Sequence, residues 1–243
     1  LEVTADPEHF AATETRVADQ IGNRSATLTL NSLALENGVV TAELRVAPLT
    51  GHKFPASFPS RRAWLHVTVT DAAGKLVFES GAHSADGSIA GNAADADPAA
   101  FEPHYDLITQ ADQVQIYEPI MGNDEGQVTY TLLRAARYLK DNRLLPAGVD
   151  KAALPADIAV YGDAQPDANF VGGSDTITYR MDTQGATGPF TVAAELLYEP
   201  LSYRFVQDLL ADKTALTERF GGYYRGTDKT PLLVAAIEPA KTE

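Results

Sequence analysis

Apolar positions change their period along this chain, and each change marks an element. Asp6-Pro7 reads as a helix N-cap followed by proline at the first helical position. Phe10, Val17 and Ile21 then fall near one helical face, and Gly22 can stop the helix. From Ala26 the period becomes two. Thr27–Leu30 and Val39–Val46 alternate on either side of Asn37-Gly38, a pair that predicts a tight antiparallel hairpin. A second hairpin is predicted from Ala63–Thr70 and Lys75–Ser80 around the turn Asp71–Gly74. Further short strands are expected at Val114–Tyr117, Gln127–Leu133, Asp175–Asp182, Pro189–Tyr198 and Thr230–Ile237. Leu201, Phe205 and Leu209 lie four apart, so Leu201–Phe220 is expected to form an amphipathic helix or helix pair. Gly172-Gly173 and Gly221-Gly222 read as turns, and the tail Glu238–Glu243 as frayed.

Two stretches have no period. Residues 84–106 are rich in Ala, Asp, Gly and Asn, and residues 146–174 are interrupted by Pro146, Pro155, Pro166 and Gly172-Gly173. Loops of this length inside a compact domain are usually functional or disordered. Many short strands with turn signals between them predict a mainly β fold. The expectation is an antiparallel β-sandwich, immunoglobulin-like or jelly-roll-like, with long loops and one or two short helices. Residues 1–25 would form an N-terminal helix or connector, and 26–243 a single sandwich domain with long loop insertions.

Composition narrows the classes. With 243 residues and 44% apolar content, the chain can bury a substantial core without disulfides or metals. Its net charge of −14 repels nucleic acid and anionic membranes, so neither is an expected partner. No apolar run approaches the length that spans a bilayer. The start, Leu1-Glu2-Val3, carries no signal peptide and reads as that of a mature chain or an excised domain. Cysteine is absent, which excludes disulfides, thiolate metal sites and covalent heme attachment through C-x-x-C-H in this chain.

Four groups of residues are candidates for chemistry. Between Thr50 and Leu65, His52 sits with Lys53, Arg61 and Arg62, two prolines of a Phe-Pro repeat and the only tryptophan. Gly51 and Pro55 confine the backbone to a stiff, non-helical path around His52. A rigid loop presenting an imidazole edged by cations suits a metal or a heme iron with anionic substituents; the alternative is a strand-entry loop whose histidine bonds locally. Asp86, Asn92, Asp95 and Asp97 offer hard oxygen ligands of the kind calcium takes, or else form a solvated acidic loop; Glu102, His104 and Asp106 just beyond would add a ligand or pin the loop's exit. Arg134, Arg137, Lys140 and Arg143 recur every three residues. On a helix they would make a positive stripe for an acidic partner, or a solvated face balancing Asp124, Glu125 and Asp141. Tyr198, Tyr203, Phe205, Phe220, Tyr223 and Tyr224 cluster late, either as core and interface or as stacking platforms for sugars. There is no G-x-S-x-G elbow and no H-E-x-x-H helix, and His9, His52, His66, His83 and His104 are not paired at ligand spacing.

Three blocks carry a resemblance. They are Gly51-His-Lys-Phe-Pro55 with Pro59-Ser-Arg-Arg-Ala-Trp64, then Phe101-Glu-Pro-His-Tyr-Asp106 with Gln113–Met121, then Leu132–Pro146. In order and length they resemble the cysteine-free C-terminal domain of certain bacterial multiheme c-type cytochromes, over roughly residues 40–225; Ala56-Ser57 stands where that family has Thr-Gly or similar. The resemblance implies a noncatalytic accessory or docking domain of an exported electron-transfer protein, periplasmic or extracellular. Its partner would be a heme-bearing segment or subunit that carries the heme c. His52 would ligate iron or donate to a propionate, with Lys53, Arg61 and Arg62 supplying charge around the same heme edge. Arg134, Arg137, Lys140 and Arg143 would receive propionates or an acidic redox partner. The competing expectation is an exported carbohydrate- or protein-binding sandwich module stabilised by calcium.

Overall fold

Asn37 and Gly38 both take positive φ, 50° and 76°, the geometry a two-residue hairpin turn demands. The computed structural model describes residues 4–56 and 58–243, so the Leu1-Glu2-Val3 start and Ser57 lie outside the described residues. The strands, in chain order, are β1 (Ala26–Glu36), β2 (Val39–Pro48), β3 (Arg62–Thr70), β4 (Leu76–Ser80), β5 (Leu107–Ile108), β6 (Ile116–Tyr117), β7 (Pro119–Gly122), β8 (Val128–Thr129), β9 (Arg137–Asp141), β10 (Asp175–Asp182), β11 (Thr191–Glu199), β12 (Leu232–Ala236) and β13 (Ala240–Lys241). The helices are α1 (Pro7–Arg24), α2 (Ala93–Ala96), α3 (Tyr203–Ala211) and α4 (Ala215–Gly226).

The strands form three open, mostly antiparallel sheets. One runs β1-β2-β10-β5, with only the β5 pairing parallel. The second runs β12-β11-β3-β4, with β13 on β11 and β6 on β3, and a small third sheet is β8-β7-β9. Alternation in β2 buries Val40, Ala42, Leu44 and Val46, while Val67, Val192 and Leu196 come from the second sheet to the same core. Trp64, on the opposite side of β3 from Leu65, joins Ile89, Val114, Ile116 and Leu197 in a separate small cluster.

The fold is mixed α/β with more strand than helix, and the described residues contain four helices rather than one or two. Helix α1 passes through Gly22 to Arg24. Gly221-Gly222 is not a turn but lies inside α4; a Cβ on Gly221 would come within 2.9 Å of Leu210, so glycine lets α4 approach α3 closely. The C-terminal tail is not frayed, because β13 pairs with β11 and the buried Thr242 exchanges hydrogen bonds with Phe190. The strand expected over Gln127–Leu133 shortens to β8, after which Leu132–Arg134 forms a 3-10 turn.

Candidate functional site

The His52 loop is stapled to the core on its far side. Phe54 is buried and exchanges backbone hydrogen bonds with Leu144, at 2.9 and 2.8 Å. Thr50 Oγ1 donates to His52 O at 2.8 Å, and Arg61 closes the loop by donating to Ala56 O at 3.0 Å. His52 Nδ1 lies 2.9 Å from Lys53 O. A carbonyl only accepts, so Nδ1 carries the proton, and the lone pair of the neutral ring is on Nε2. Nε2 has no hydrogen-bond partner among the described residues. His52 is exposed at the edge of a cavity of about 360 Å³, lined by Lys53 and Arg143 and by the apolar Leu145, Val149, Leu154 and Ile158.

Two cations at this cavity share one carboxylate. Lys53 Nζ donates to Asp141 Oδ2 at 2.7 Å and to Ala159 O at 3.0 Å. Arg143 forks onto the same Asp141 through Nε at 2.8 Å and a terminal nitrogen at 2.7 Å. Burial lowers the Lys53 pKa, against the opposing attraction of Asp141. With one buried anion between two cations, the cavity wall keeps a net positive charge.

The other expected site residues are dispersed. Arg62 is only 1% exposed. Its Nε donates to Glu199, its two terminal nitrogens fork onto Asp95 at 3.0 Å each, and one also reaches Gly87 O at 3.0 Å. It therefore does not reach the His52 cavity, whose lining does not include it. The acidic loop spends its oxygens on its own turns: Asp86 accepts from Ser88, Asn92 caps α2 at Ala94 N, Asp97 accepts from Ala99 N, and Asp95 is held by Arg62 and Ile89 N. Among the described residues, the carboxylates of Asp86, Asp95 and Asp97 do not by themselves come within 4.8 Å of one another as a group of three.

The basic stripe needs correcting, because its segment is the 3-10 turn and strand β9 instead of a helix. A period of three has no common face on a strand. Lys140 is buried and pairs with Glu118 at 3.1 Å, Arg143 is held by Asp141, and Arg134 and Arg137 alone remain exposed. Immediately before Arg134, Leu133 is 99% exposed.

A second polar centre had no spacing signal. The buried His104, with Asp167 and Asp175, offers ligand atoms within 4.8 Å of one another, a spacing that suits a metal ion. Its hydrogen bonds define the proton. Gln115 Oε1 accepts from Tyr105 N at 2.9 Å and Asn142 Oδ1 from Glu118 N at 3.0 Å, which orients both amides. Their NH₂ groups then point at His104 Nδ1, at 2.8 and 3.1 Å. Nδ1 must accept, so Nε2 carries the proton and donates to Asp167 at 3.0 Å. A metal on Nε2 would need the proton moved to Nδ1, where it would face two donors. As arranged, the triad fits a hydrogen-bonded clasp better than a metal site. Asp106, nearby, remains exposed.

The late aromatics are spread: Tyr198 is buried against Phe54 and also lines a smaller cavity, beside which Phe220 and Tyr224 stack at 6.0 Å, while Phe205 meets Phe58 edge-on at 5.5 Å.

No family model matches the chain, and no curated protein matches it. Among solved structures it is similar to a penta-heme cytochrome c552 from Thermochromatium tepidum, with a TM-score of 0.44 and 15% identity. The match covers 92% of this chain and 41% of that one, so the chain spans less than half the length of the protein it resembles.

Proposed function

We propose that this chain is a noncatalytic accessory domain of an exported multiheme c-type cytochrome, packed against a heme-bearing segment or subunit with His52 at the heme. The observation that carries the reading is the His52 imidazole. Its Nδ1 is tied to Lys53 O, and its Nε2 is unengaged beside an apolar cavity. A backbone acceptor on the distal nitrogen is what fixes a ligating imidazole in tautomer and orientation. The heme supplies the redox couple, and with no cysteine in this chain it belongs to the partner. His52 would ligate the iron through the Nε2 lone pair or, as the imidazolium, donate from Nε2 to a propionate. Lys53 and Arg143, with Arg61 on the adjacent loop, give that edge the positive charge propionates require. Leu145, Val149, Leu154 and Ile158 would cover the porphyrin's apolar rim.

In this reading the two larger sheets act as a β-sandwich that holds the loop rigid, and Arg134 and Arg137 form the exposed part of a docking face for an acidic redox partner. The location would be periplasmic or extracellular. Among the described residues, no helix is long and apolar enough to cross a membrane.

The test is to titrate the chain with a ferric heme c-bearing peptide that leaves one axial position open. Coordination by His52 shifts the Soret band from the high-spin to the low-spin form. His52→Ala should abolish the shift, and His9→Ala on α1 should retain it. No shift in the unaltered chain, or an equal shift in His52→Ala, overturns iron ligation.

A further inference from the structure

The cavity at the end of β11 holds an unbalanced charge. Arg62 is one cation shared by two carboxylates, Asp95 and Glu199, and among the described residues no other lysine or arginine forms an ion pair with either. The neighbouring Lys140 is committed to Glu118. Among Arg62, Asp95 and Glu199 one negative charge is therefore left over below the surface, where an uncompensated buried charge is costly. Glu199 is the member that lines the cavity, and it is 7% exposed. Its Oε1 is taken by Arg62, while its Oε2 accepts no hydrogen bond among the described residues. Burial, beside Asp95 and Glu118, pushes the Glu199 carboxyl up to about 7, which is how an anion lacking a full counter-charge behaves.

The walls say what kind of cation would fit. Tyr198, Phe220, Tyr223 and Tyr224 line the same space, and Asp228 stands at its rim. These rings already attract an ammonium: Lys229 Nζ sits 4.6 Å from the Tyr224 ring centre and donates to Thr227 O at 2.9 Å, and among the described residues no carboxylate oxygen lies within ion-pair distance of it, although Asp86 and Asp228 stand close enough to feel its charge. Aromatic faces around a carboxylate recognise alkylated ammonium groups, whose weak hydration makes cation–π contact worth more than for a metal ion. The cavity, about 230 Å³, has room for a small head group.

We infer that this pocket binds a small organic ammonium compound, with Glu199 as its counter-ion and the Tyr198, Phe220, Tyr223 and Tyr224 rings as its walls. Lys229 lies at the same wall and competes with it. The site is separate from the His52 cavity, with which it shares no lining residue.

The experiment is a titration with tetramethylammonium chloride against potassium chloride at equal ionic strength, followed by tyrosine ring resonances and by fluorescence of Trp64, whose ring lies 5.9 Å from the Arg62 guanidinium. Saturable shifts are expected with the first salt only. An n-butylammonium arm separates the two sources of the chemistry: a tighter quaternary ion identifies a methylated ammonium compound, and a tighter butyl ion a lysine-like amine. Glu199→Gln should weaken binding at least tenfold, Lys229→Ala should leave it equal or several-fold tighter, and His52→Ala should not change it. Linear, unsaturable responses to tetramethylammonium and butylammonium overturn the proposal. So does an unchanged affinity in a folded Glu199→Gln variant.

Discussion

Lys53 and Asp141 are 88 residues apart in sequence and meet at 2.7 Å, and this contact couples the His52 loop to strand β9. Asp141 is fully buried and accepts from Lys53 and Arg143 as well as exchanging backbone bonds with Tyr161. Asp141→Ala leaves two cations without their shared anion in a half-buried wall. A loss of about 3–5 kcal/mol is expected, as when one partner of a buried ion pair is removed. Urea unfolding measures it. In the heme-peptide titration at low denaturant, the same variant should bind more weakly than the parent, because the loop that aims His52 is released.

Arg62 makes a sharper case, because its removal strands two carboxylates. Arg62→Ala should cost about 3–5 kcal/mol in the same unfolding experiment. Adding Asp95→Asn removes one of the stranded charges, so the double variant should recover part of that loss. Strict additivity of the two single changes would show that Arg62 and Asp95 do not interact, contrary to their paired contacts.

Gly81 has φ of +80°, and a Cβ there would lie 2.3 Å from Leu65 O. Its own carbonyl accepts from Trp64 Nε1 at 2.9 Å. Gly81→Ala therefore combines left-handed backbone strain with a backbone clash. It should destabilise by at least about 2 kcal/mol. Urea unfolding of the variant against the parent measures the loss.

What was legible in the sequence followed the local rules. Asn37-Gly38, the alternation of β2 and β10, and the Leu201-Phe205-Leu209 spacing each specify an element without help from elsewhere. The errors came where tertiary contacts decide. Steps of three from Arg134 to Arg143 suit a helix, yet pairing of β9 with β7 makes the segment a strand and buries Lys140. Gly221-Gly222 looks like a turn until Leu210 is placed against it. Arg62 adjoins Arg61 in sequence, but alternation on entering β3 turns it inward onto Glu199, 137 residues away. The partners of His104 are drawn from residues 115, 142, 167 and 175, so no spacing rule gathers them. The one local hint was Asp175, a carboxylate at an inward-facing position of β10.

That carboxylate sets a pH dependence whose sign is fixed. Burial raises the Asp175 pKa from the ordinary 3.8 to about 6, against the hydrogen bond that the Tyr117 hydroxyl donates to it at 2.8 Å. The folded state thus holds this proton more tightly than the unfolded chain does. Its contribution to stability is complete below the unfolded value and is lost as pH rises through about 6, after which it is flat. Asp167 behaves oppositely. Burial pushes it up, but the bonds from His104 and the Asn169 backbone outweigh this and hold it low, so its contribution vanishes only under more acidic conditions. Asp175→Asn keeps an acceptor for Tyr117 and cannot ionise. Relative to the parent, the variant should gain on the order of 3 kcal/mol between pH about 4 and about 7. Urea unfolding at steps across that range measures the difference, which cancels groups common to both proteins. A parallel pair of stability curves would mean that Asp175 titrates alike in the folded and unfolded chains, and the His104 clasp would then not be the dry centre its geometry describes.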